Sequence, residues 1–365
     1  MISTIVRPSG IIWLVVALAV ASGAQTTCGE ESVAATKAFF DASRALEGKR
    51  FDEAIDLFTK AITLDLSPSH VSAAYQNRGI AYRSKGDDER ASADFERAIE
   101  FDPTNAGAYI NRGLGHAHRG DHDLAIRDYN EALRFDPKMV AAVFNRALSW
   151  RETGNVERAL QDVNEALRLD PKLPQGYVCR GELLSATKPA AARRDFETAK
   201  KIAPEMPDVW LGLARLDFWE KRYESVVANY EKIMALQVAP PVRAFALNGA
   251  AWMRATCPTP RIRNGKKAIK EAQEACELTS WQSSACVDTL AAAFAEARRY
   301  QDAANYQWLA LSLLDPDDAG RAEAEERLHL YKRDKPYREN PRRTPSPAPS
   351  PSRALPLPSR FGKPS

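Results

Sequence analysis

The 365-residue sequence lacks the short motifs that most often mark an enzyme. It contains no Gly-rich phosphate loop, no H-E-x-x-H zinc motif and no G-x-S-x-G nucleophile motif. Its only clustered histidines are His116, His118 and His122. Residues i and i+2 of a helix point in nearly opposite directions, and Gly120 interrupts the helix before His122, so a shared metal site is disfavoured. We therefore predict a protein that is not an enzyme and holds no metal or cofactor.

Cysteine is also scarce, with five residues and no C-x-x-C pair. An odd number at irregular spacing fits neither a metal site nor a complete disulfide framework. Cys276 and Cys286 flank a short turn between two predicted helices and could form a disulfide if the protein is exported. The alternative is that these thiols pack as small apolar side chains.

An apolar run from Ile11 to Val20 is too short to span a bilayer comfortably, because a spanning helix needs about 20 apolar residues. The run follows Arg7 and precedes the small residues Ala21 to Ala24. This order is typical of a signal peptide, here residues 1–24, cleaved near Ala24. We expect a periplasmic or secreted protein without an integral membrane span after cleavage. An uncleaved N-terminal anchor is the alternative.

Aromatic residues make up 8% of the chain, and its positive charge is concentrated at one end. Residues 332–365 contain nine Lys and Arg but only Asp334 and Glu339 as acids, so the rest of the chain is net negative. A mildly acidic body with a basic tail gives no reason to expect nucleic-acid binding. A protein partner, or contact of the tail with an anionic surface, fits this charge distribution better.

The central part of the sequence repeats with a constant shift of 34 residues. The repeated pattern begins with Asn-Arg-Gly or a close variant, seen at Asn77 to Gly79 and Asn111 to Gly113. Each unit then has a turn residue, two alanines that flank a bulky residue, and a closing proline. Small residues let two antiparallel helices approach, while Gly and Pro end the helices. One such hairpin cannot bury its own apolar faces, so the units are expected to stack.

This pattern resembles the tetratricopeptide-repeat family. The resemblance implies an all-α fold, a right-handed superhelical solenoid of about eight stacked antiparallel helix hairpins. After an N-terminal linker at 25–34, the solenoid is predicted over 35–333 with a capping helix at 319–333. We expect the repeats at residues 35–68, 72–105, 106–139, 140–173, 174–206, 207–241, 242–283 and 284–316.

The seventh unit has seven extra residues in its turn, around Cys257 to Arg261. The segments A-T-C-P-T-P at 255–260 and K-P-Y-R-E at 335–339 resemble a module that closes many bacterial tetratricopeptide proteins. Residues 334–365 are rich in Pro, Ser and basic residues. They are predicted to be a disordered tail because they cannot bury enough apolar surface to fold.

Arginine at the seventh position and aspartate at the twenty-third occur together in four units and are both absent from the first and sixth. The two positions lie on facing helices of one hairpin, where a forked guanidinium–carboxylate bond is sterically reasonable. A structural pair is favoured over a functional basic stripe. The predicted pairs are Arg78–Asp94, Arg112–Asp128, Arg146–Asp162 and Arg180–Asp195.

The resemblance also implies that the sixth position lines a concave groove in which side-chain amides bind the main chain of an extended peptide. Structural caps or bridges between helices are an equal alternative for these asparagines. A carboxylate clamp is disfavoured, because its Lys and Arg positions hold Gly107 and Asn111 in the third unit. The predicted peptide contacts are Asn77, Asn111, Asn145, Gln76, Arg83, Ile110, His118, Phe144 and Arg151, and further inferred groove positions are Leu211, Arg215 and Trp219.

These features predict a non-catalytic scaffold that binds a protein or peptide partner in the groove. Its mixture of amide, cationic and aromatic groups suits a peptide with acidic and apolar features. The alternative is a structural envelope or assembly component that is tethered by its basic tail.

Overall fold

The structure, a computed structural model, describes residues 3–6, 12–15, 32–64 and 66–339. Near the N-terminus, strands β1 (Ser3–Val6) and β2 (Ile12–Val15) pair in antiparallel fashion with Ser3 opposite Val15. The predicted cleavage near Ala24, Cys28 and residues 340–365 lie outside the described residues. Within the described residues, no helix is both long and apolar enough to cross a bilayer.

Beyond residue 32, the described chain is helical, as the repeat pattern predicted, and contains seventeen α-helices and one short 3-10 helix, Pro260–Ile262. The α-helices are α1 (Val33–Glu47), α2 (Phe51–Ile62), α3 (Pro68–Ser84), α4 (Asp88–Phe101), α5 (Ala106–Arg119), α6 (His122–Phe135), α7 (Val140–Glu152), α8 (Val156–Leu169), α9 (Pro174–Leu184), α10 (Pro189–Ile202), α11 (Pro207–Trp219), α12 (Tyr223–Ala235), α13 (Pro240–Thr256), α14 (Gly265–Leu278), α15 (Ser284–Glu296), α16 (Tyr300–Ser312) and α17 (Arg321–Tyr331).

Local sequence signals set the helix ends. Ser67 caps α3 by accepting a hydrogen bond from the His70 amide, and Pro68 begins the helix, where its missing N–H costs nothing. Asn105 caps α5 in the same way through the Ala108 amide. The glycines between paired helices, such as Gly120 after α5, adopt positive φ and reverse the chain. Short sequence motifs thus divide the chain into hairpins.

The described residues fall into two compact units, unit 1 up to Cys179 and unit 2 from Arg180 onward. In the first unit, each hairpin closes around a fully buried bulky side chain on its second helix that packs against a small residue on its first. A Cβ atom on Gly79 would lie 2.7 Å from the Phe95 ring, and one on Gly113 would lie 2.8 Å from the Tyr129 ring. The bulky residues of this unit are Phe58, Phe95, Tyr129 and Val163, all 0% exposed.

Successive hairpins of the first unit stack through the second helix of one and the first helix of the next. First helices also touch each other in order, α1 with α3, α3 with α5, and α5 with α7. They therefore form a continuous face, the first-helix face, which is the candidate for the predicted groove.

The second unit uses the same hairpin principle and ends in a larger apolar cluster built from α13 to α17. Leu290 and Tyr331 are almost completely buried in this cluster. The insertion of the seventh unit lies between α13 and α14 and includes the 3-10 helix. The Arg254 carbonyl accepts a hydrogen bond from the Asn264 amide (2.9 Å), which closes the inserted loop.

Residues 337–339 extend the described chain beyond the predicted start of the tail at residue 334. The Glu339 amide donates to the Thr256 carbonyl (2.9 Å), and Arg338 donates to the Ala255 carbonyl (3.2 Å). The Tyr337 ring lies 5.8 Å from the Trp252 ring. These contacts place K-P-Y-R-E against A-T-C-P-T-P, so the ordered chain continues to Glu339, and we call residues 337–339 the C-terminal latch.

Candidate binding surface

The four arginine–aspartate pairs deduced from the repeat are present as two-point bonds. Each arginine donates from Nε and Nη2 to the two carboxylate oxygens of its aspartate, at donor–acceptor distances of 2.7–3.0 Å. All four aspartate side chains are at most 12% exposed. The hydrogen bonds that Arg78 donates to Asp94 raise the pKa of its guanidinium above its usual value, and those to Asp128 do the same for Arg112. These arginines are therefore committed to the hairpin and do not form a free basic stripe.

Some pairs also contact the preceding hairpin. Arg146 Nη1 donates to the Asn130 side chain on α6 (2.7 Å), and Arg78 Nη1 donates to Thr59 on α2 (2.9 Å). A guanidinium can use its remaining N–H groups in this way because it carries five donors. The same residues thus hold each hairpin closed and bind it to its neighbour.

The sixth unit replaces the pair with a network that the repeat pattern did not reveal. Asp217 is 4% exposed and accepts from Arg193 (2.7 Å), Arg222 (2.9 Å) and Asn229 (2.8 Å). Burial raises the pKa of the Asp217 carboxyl, although Arg193 and the hydrogen bond from Asn229 act in the opposite direction. Asn229 occupies the position at which the other units place aspartate, which was the available sequence signal.

The asparagines predicted to contact a peptide lie inside the stacked helices. Asn77 is 8% exposed, Asn111 is 4% and Asn145 is 2%. Gln76, Ile110 and Phe144 are also at most 5% exposed. A Cβ atom on Gly107 would lie 2.9 Å from the Gln76 amide, so that side chain fills the space between α3 and α5. Six of the nine predicted peptide contacts are therefore packed between helices, because neighbouring first helices approach too closely to leave them open.

An arginine at the twelfth position holds one of the buried asparagines, Asn111. Arg83 donates to both the side-chain and main-chain oxygens of Asn111 (3.3 and 2.5 Å), while the Asn111 amide donates to the Gly107 carbonyl (2.9 Å). Burial lowers the pKa of Arg83 to about 10. Arg151 Nη1 likewise lies 4.0 Å from the sulfur of Cys179 in the next repeat. Both arginines thus connect one repeat to the next.

Asn145 differs from Asn111 because the twelfth position of the preceding unit holds Ala117 instead of arginine. Neither its amide nitrogen nor its amide oxygen has a hydrogen-bond partner within the described chain, although both are buried. Burying such a group without a partner costs roughly 1–3 kcal/mol. We call Asn77, Asn111 and Asn145 the asparagine ladder. Asn145 is its least well satisfied member.

The three histidines have separate surroundings. His116 Nε2 lies 3.8 Å from Asp128, and burial lowers the pKa of its imidazole despite that carboxylate. His118 is half-buried near the end of α5, and His122 begins α6. In the part of the chain that the structure describes, no group of three potential metal ligands comes together.

Helix α11 exposes the ninth position of its repeat, which the first helices of unit 1 bury. Its fifth, ninth and thirteenth positions in the repeat are Leu211, Arg215 and Trp219, which share one face because they are four residues apart. Leu211 is half-buried, Arg215 is exposed and Trp219 is 51% exposed. At the ninth position of earlier units stand Ile80 and Leu114, exposed by 3% and 1%. We call Leu211, Arg215 and Trp219 the α11 stripe.

Cys276 and Cys286 are free thiols, so the disulfide allowed by the sequence is not formed. Both are buried in the apolar cluster of α13 to α17. Burial raises the pKa of the Cys276 thiol to about 12 and also raises that of Cys286. Since the thiolate is the reactive form, this environment favours inert, packed thiols. Cys179 and Cys257 are buried free thiols as well.

Comparisons with known proteins agree with the hairpin architecture. A family model described as a tetratricopeptide repeat matches residues 110–174, and a second, described as a TPR repeat, matches residues 79–118. No curated protein matches the chain by sequence.

Among solved structures, that of Pseudomonas aeruginosa pilF is 22% identical, with a TM-score of 0.51, over 59% of this chain and 95% of that one. The anaphase-promoting complex assembly Cut9–Hcn1 is 13% identical, with a TM-score of 0.57, over 80% of this chain and 55% of that one. Yeast Tom70 is 21% identical, with a TM-score of 0.50, over 84% of this chain and 66% of that one. At such identities the likeness concerns the fold alone.

Proposed function

Because this chain is a tetratricopeptide-repeat protein, we propose that it is a non-catalytic scaffold that binds a protein partner through the α11 stripe. The observation that carries the proposal is the exposure of Arg215 at a repeat position that buries apolar side chains in unit 1, on the same helix face as Trp219, which is 51% exposed. Both residue types are enriched among the side chains that dominate binding energy at protein interfaces.

The stripe also defines the chemistry of the partner. Arg215 lies between Leu211 and Trp219 along α11, and no carboxylate within the described chain forms an ion pair with it. Its guanidinium can therefore form a forked bond with an incoming carboxylate. The flanking Leu211 and Trp219 offer apolar contact on either side. The matching partner is a peptide segment with an acidic side chain between two apolar ones.

The asparagine ladder has a smaller part in this proposal. Asn111 is used internally by Arg83, and Asn77 and Asn145 are buried. The equal alternative for these residues, a structural bridge between first helices, is the one that their burial favours. We therefore place the proposed partner site on α11 instead of on α3, α5 and α7.

The test is capture of partners from an envelope extract by residues 25–365, which is the chain expected after export and cleavage. Bound proteins are identified by mass spectrometry, and the affinity of each is then measured with purified components. Arg215→Glu and Trp219→Ala should each weaken the affinity of the specific partner by about tenfold or more. Circular dichroism checks that the variants remain folded.

Trp308→Ala is the matched control, since Trp308 on α16 is another tryptophan, 66% exposed, outside the stripe. Partner affinity should be unchanged in this variant. If all three variants bind as well as the wild type, the α11 stripe is not the site. If Trp308→Ala weakens binding as much as Trp219→Ala does, exposed aromatic surface in general is responsible.

A second proposed function is attachment to an anionic surface through the basic tail. It is supported by the charge excess of residues 332–365 and by the latch, which fixes the point where the tail begins. A chain ended at residue 339 should keep its protein partner but lose surface attachment. Loss of both activities, or of neither, would contradict this division of roles.

A further inference from the structure

A cleft beside the C-terminal latch is strongly cationic. It has a volume of about 460 Å³ and is lined by Arg263, Arg298 and Arg338 together with Glu296 and Tyr300. Three arginines against one glutamate give the lining a net charge of +2. The cleft is formed within unit 2 and does not include the α11 stripe.

Glu296 holds two of these arginines in place. Its carboxylate lies 3.2 Å from Arg263 Nε and 2.5 Å from Arg338 Nη2. Arg263 also donates to the Cys257 carbonyl (2.8 Å), and Arg338 donates to the Ala255 carbonyl (3.2 Å). The inserted loop and the latch therefore fix both guanidiniums on the cleft wall by bonds to main-chain oxygens.

Arg298 is different, because it makes no ion pair or hydrogen bond with its side chain within the described chain. It stands in the turn between α15 and α16 with φ of 60°. This left-handed conformation is unfavourable for a residue with a Cβ atom. The corresponding turn positions of three earlier units hold Gly86, Gly120 and Gly154. Lys49 and Lys221 occupy the same position with positive φ in the first and sixth repeats, and of these three cations Arg298 is the one that lines the cleft.

We propose that this cleft is an anion site that takes a phosphate group, with Arg298 as its principal ligand. A guanidinium presents paired N–H donors that match the geometry of phosphate oxygens. A dianionic phosphate balances the +2 charge of the lining.

Calorimetric titration of the full chain with inorganic phosphate, at constant ionic strength and with chloride as reference, tests the proposal. Saturable binding is expected for the wild type, and Arg298→Gly should lower the association constant for phosphate about tenfold. This variant removes the guanidinium and leaves a residue that tolerates positive φ, so it should not unfold the protein. Absence of saturable binding by the wild type would overturn the proposal.

Lys221→Gly is the matched control. Lys221 occupies the same turn position in the sixth unit, also with positive φ (59°), so the exchange removes one charge from the same backbone setting. Phosphate affinity should stay at the wild-type value. Equal weakening by Lys221→Gly and Arg298→Gly would show that net charge alone governs binding, and the cleft would not be a site.

Vesicles distinguish a lipid headgroup from a free phosphate as the natural source. If phosphatidic acid vesicles bind the wild type more tightly than Arg298→Gly, and phosphatidylcholine vesicles bind neither, the cleft takes a headgroup. If only inorganic phosphate depends on Arg298, the cleft takes a soluble anion. If phosphatidic acid vesicles bind both proteins equally and inorganic phosphate binds neither, the tail alone attracts the anionic surface, and the cleft has no part in it.

Discussion

At the scale of single residues, two glycines of α5 have opposite roles although only two positions separate them. Gly113 faces its partner helix, and a Cβ atom there would lie 2.8 Å from the Tyr129 ring, which is completely buried. Gly115 faces the arginines Arg83 and Arg119, and a Cβ atom there would have its nearest neighbours at 3.6 Å. The first glycine is required by packing, whereas the second only lowers the helix propensity of α5.

Gly113→Ala should therefore destabilise the protein by about 1–3 kcal/mol, because the buried Tyr129 ring cannot move aside freely. Gly115→Ala should raise the stability by up to about 1 kcal/mol, the difference in helix propensity between alanine and glycine. Denaturant unfolding followed by circular dichroism measures both. Equal effects of the two substitutions would show that the contact with Tyr129 does not limit the packing of this hairpin.

Glu339 provides a pH-dependent prediction. Burial is the largest influence on its carboxyl and raises the pKa, although the hydrogen bond from Trp252 and the charge of Arg327 act in the opposite direction. Because the folded state binds the proton more tightly than the unfolded state, this group contributes most to stability below its unfolded value of 4.5. That contribution is lost as the pH rises through the folded pKa.

Glu339→Gln should abolish this loss, since its amide oxygen can still accept from the Trp252 indole N–H. We expect the variant to melt at a higher temperature than the wild type at pH 7.5, and the two melting curves to converge near pH 4. Thermal unfolding across this pH range is the measurement. A variant that melts lower than the wild type at pH 7.5 would mean that the charged form of Glu339 stabilises the latch.

At the scale of the hairpin, a pair of side chains in fixed register joins the two helices. Arg146 donates two hydrogen bonds of 2.7 Å to Asp162, and the Asp162 side chain is only 12% exposed. Removing one partner leaves the other desolvated and unpaired, which is more costly than removing both. The pair therefore specifies how two helices align as well as how strongly they associate.

Arg146→Ala should cost about 2 kcal/mol of stability, and Asp162→Ala should have a similar effect. The double variant Arg146→Ala/Asp162→Ala should cost clearly less than the sum of the two single changes. Denaturation midpoints of the three variants and the wild type complete the cycle. Additive losses would show that the two side chains stabilise the hairpin independently.

The same hairpins show what the spacing of residues in the sequence can predict and what it cannot. The arginine–aspartate pairs could be predicted because both partners recur with the period of the repeat and stand 16 residues apart in most units. Exposure along the first-helix face could not, because it depends on what packs against each helix. Ile80 and Arg215 occupy the same repeat position, yet one is buried and the other is exposed. For this reason six of the nine predicted peptide contacts in unit 1 proved to be interior residues.

At the scale of the whole chain, the latch is the least repetitive part of the fold. The Trp252 indole donates to Glu339 (2.9 Å), and Arg327 lies 5.6 Å from the centres of both the Trp252 and Tyr337 rings. Arg327 is in turn bound to Asp288 (2.8 Å). The sequence marked K-P-Y-R-E as a recurring motif, but no periodicity could indicate that it returns to α13.

A chain ended at residue 339 should unfold like the full protein, whereas a chain ended at residue 334 should lose stability in unit 2. Without the latch, the Thr256 carbonyl, the Trp252 indole and Glu296 each lose a partner. Hydrogen–deuterium exchange with mass spectrometry should show faster exchange in residues 240–256 and no change in residues 68–135. Unchanged exchange in residues 240–256 would mean that the latch contributes nothing to unit 2.

The latch also orders events during protein synthesis. Each repeated hairpin closes contacts between residues close in sequence, so it can form soon after its own segment has been translated. The bonds of the latch join residues separated by 83 and 87 positions, and they cannot form until Arg338 and Glu339 have been added to the growing chain. Until then, α13 lacks its contacts with the latch. A nascent chain that ends before Glu339 therefore cannot complete the packing of unit 2.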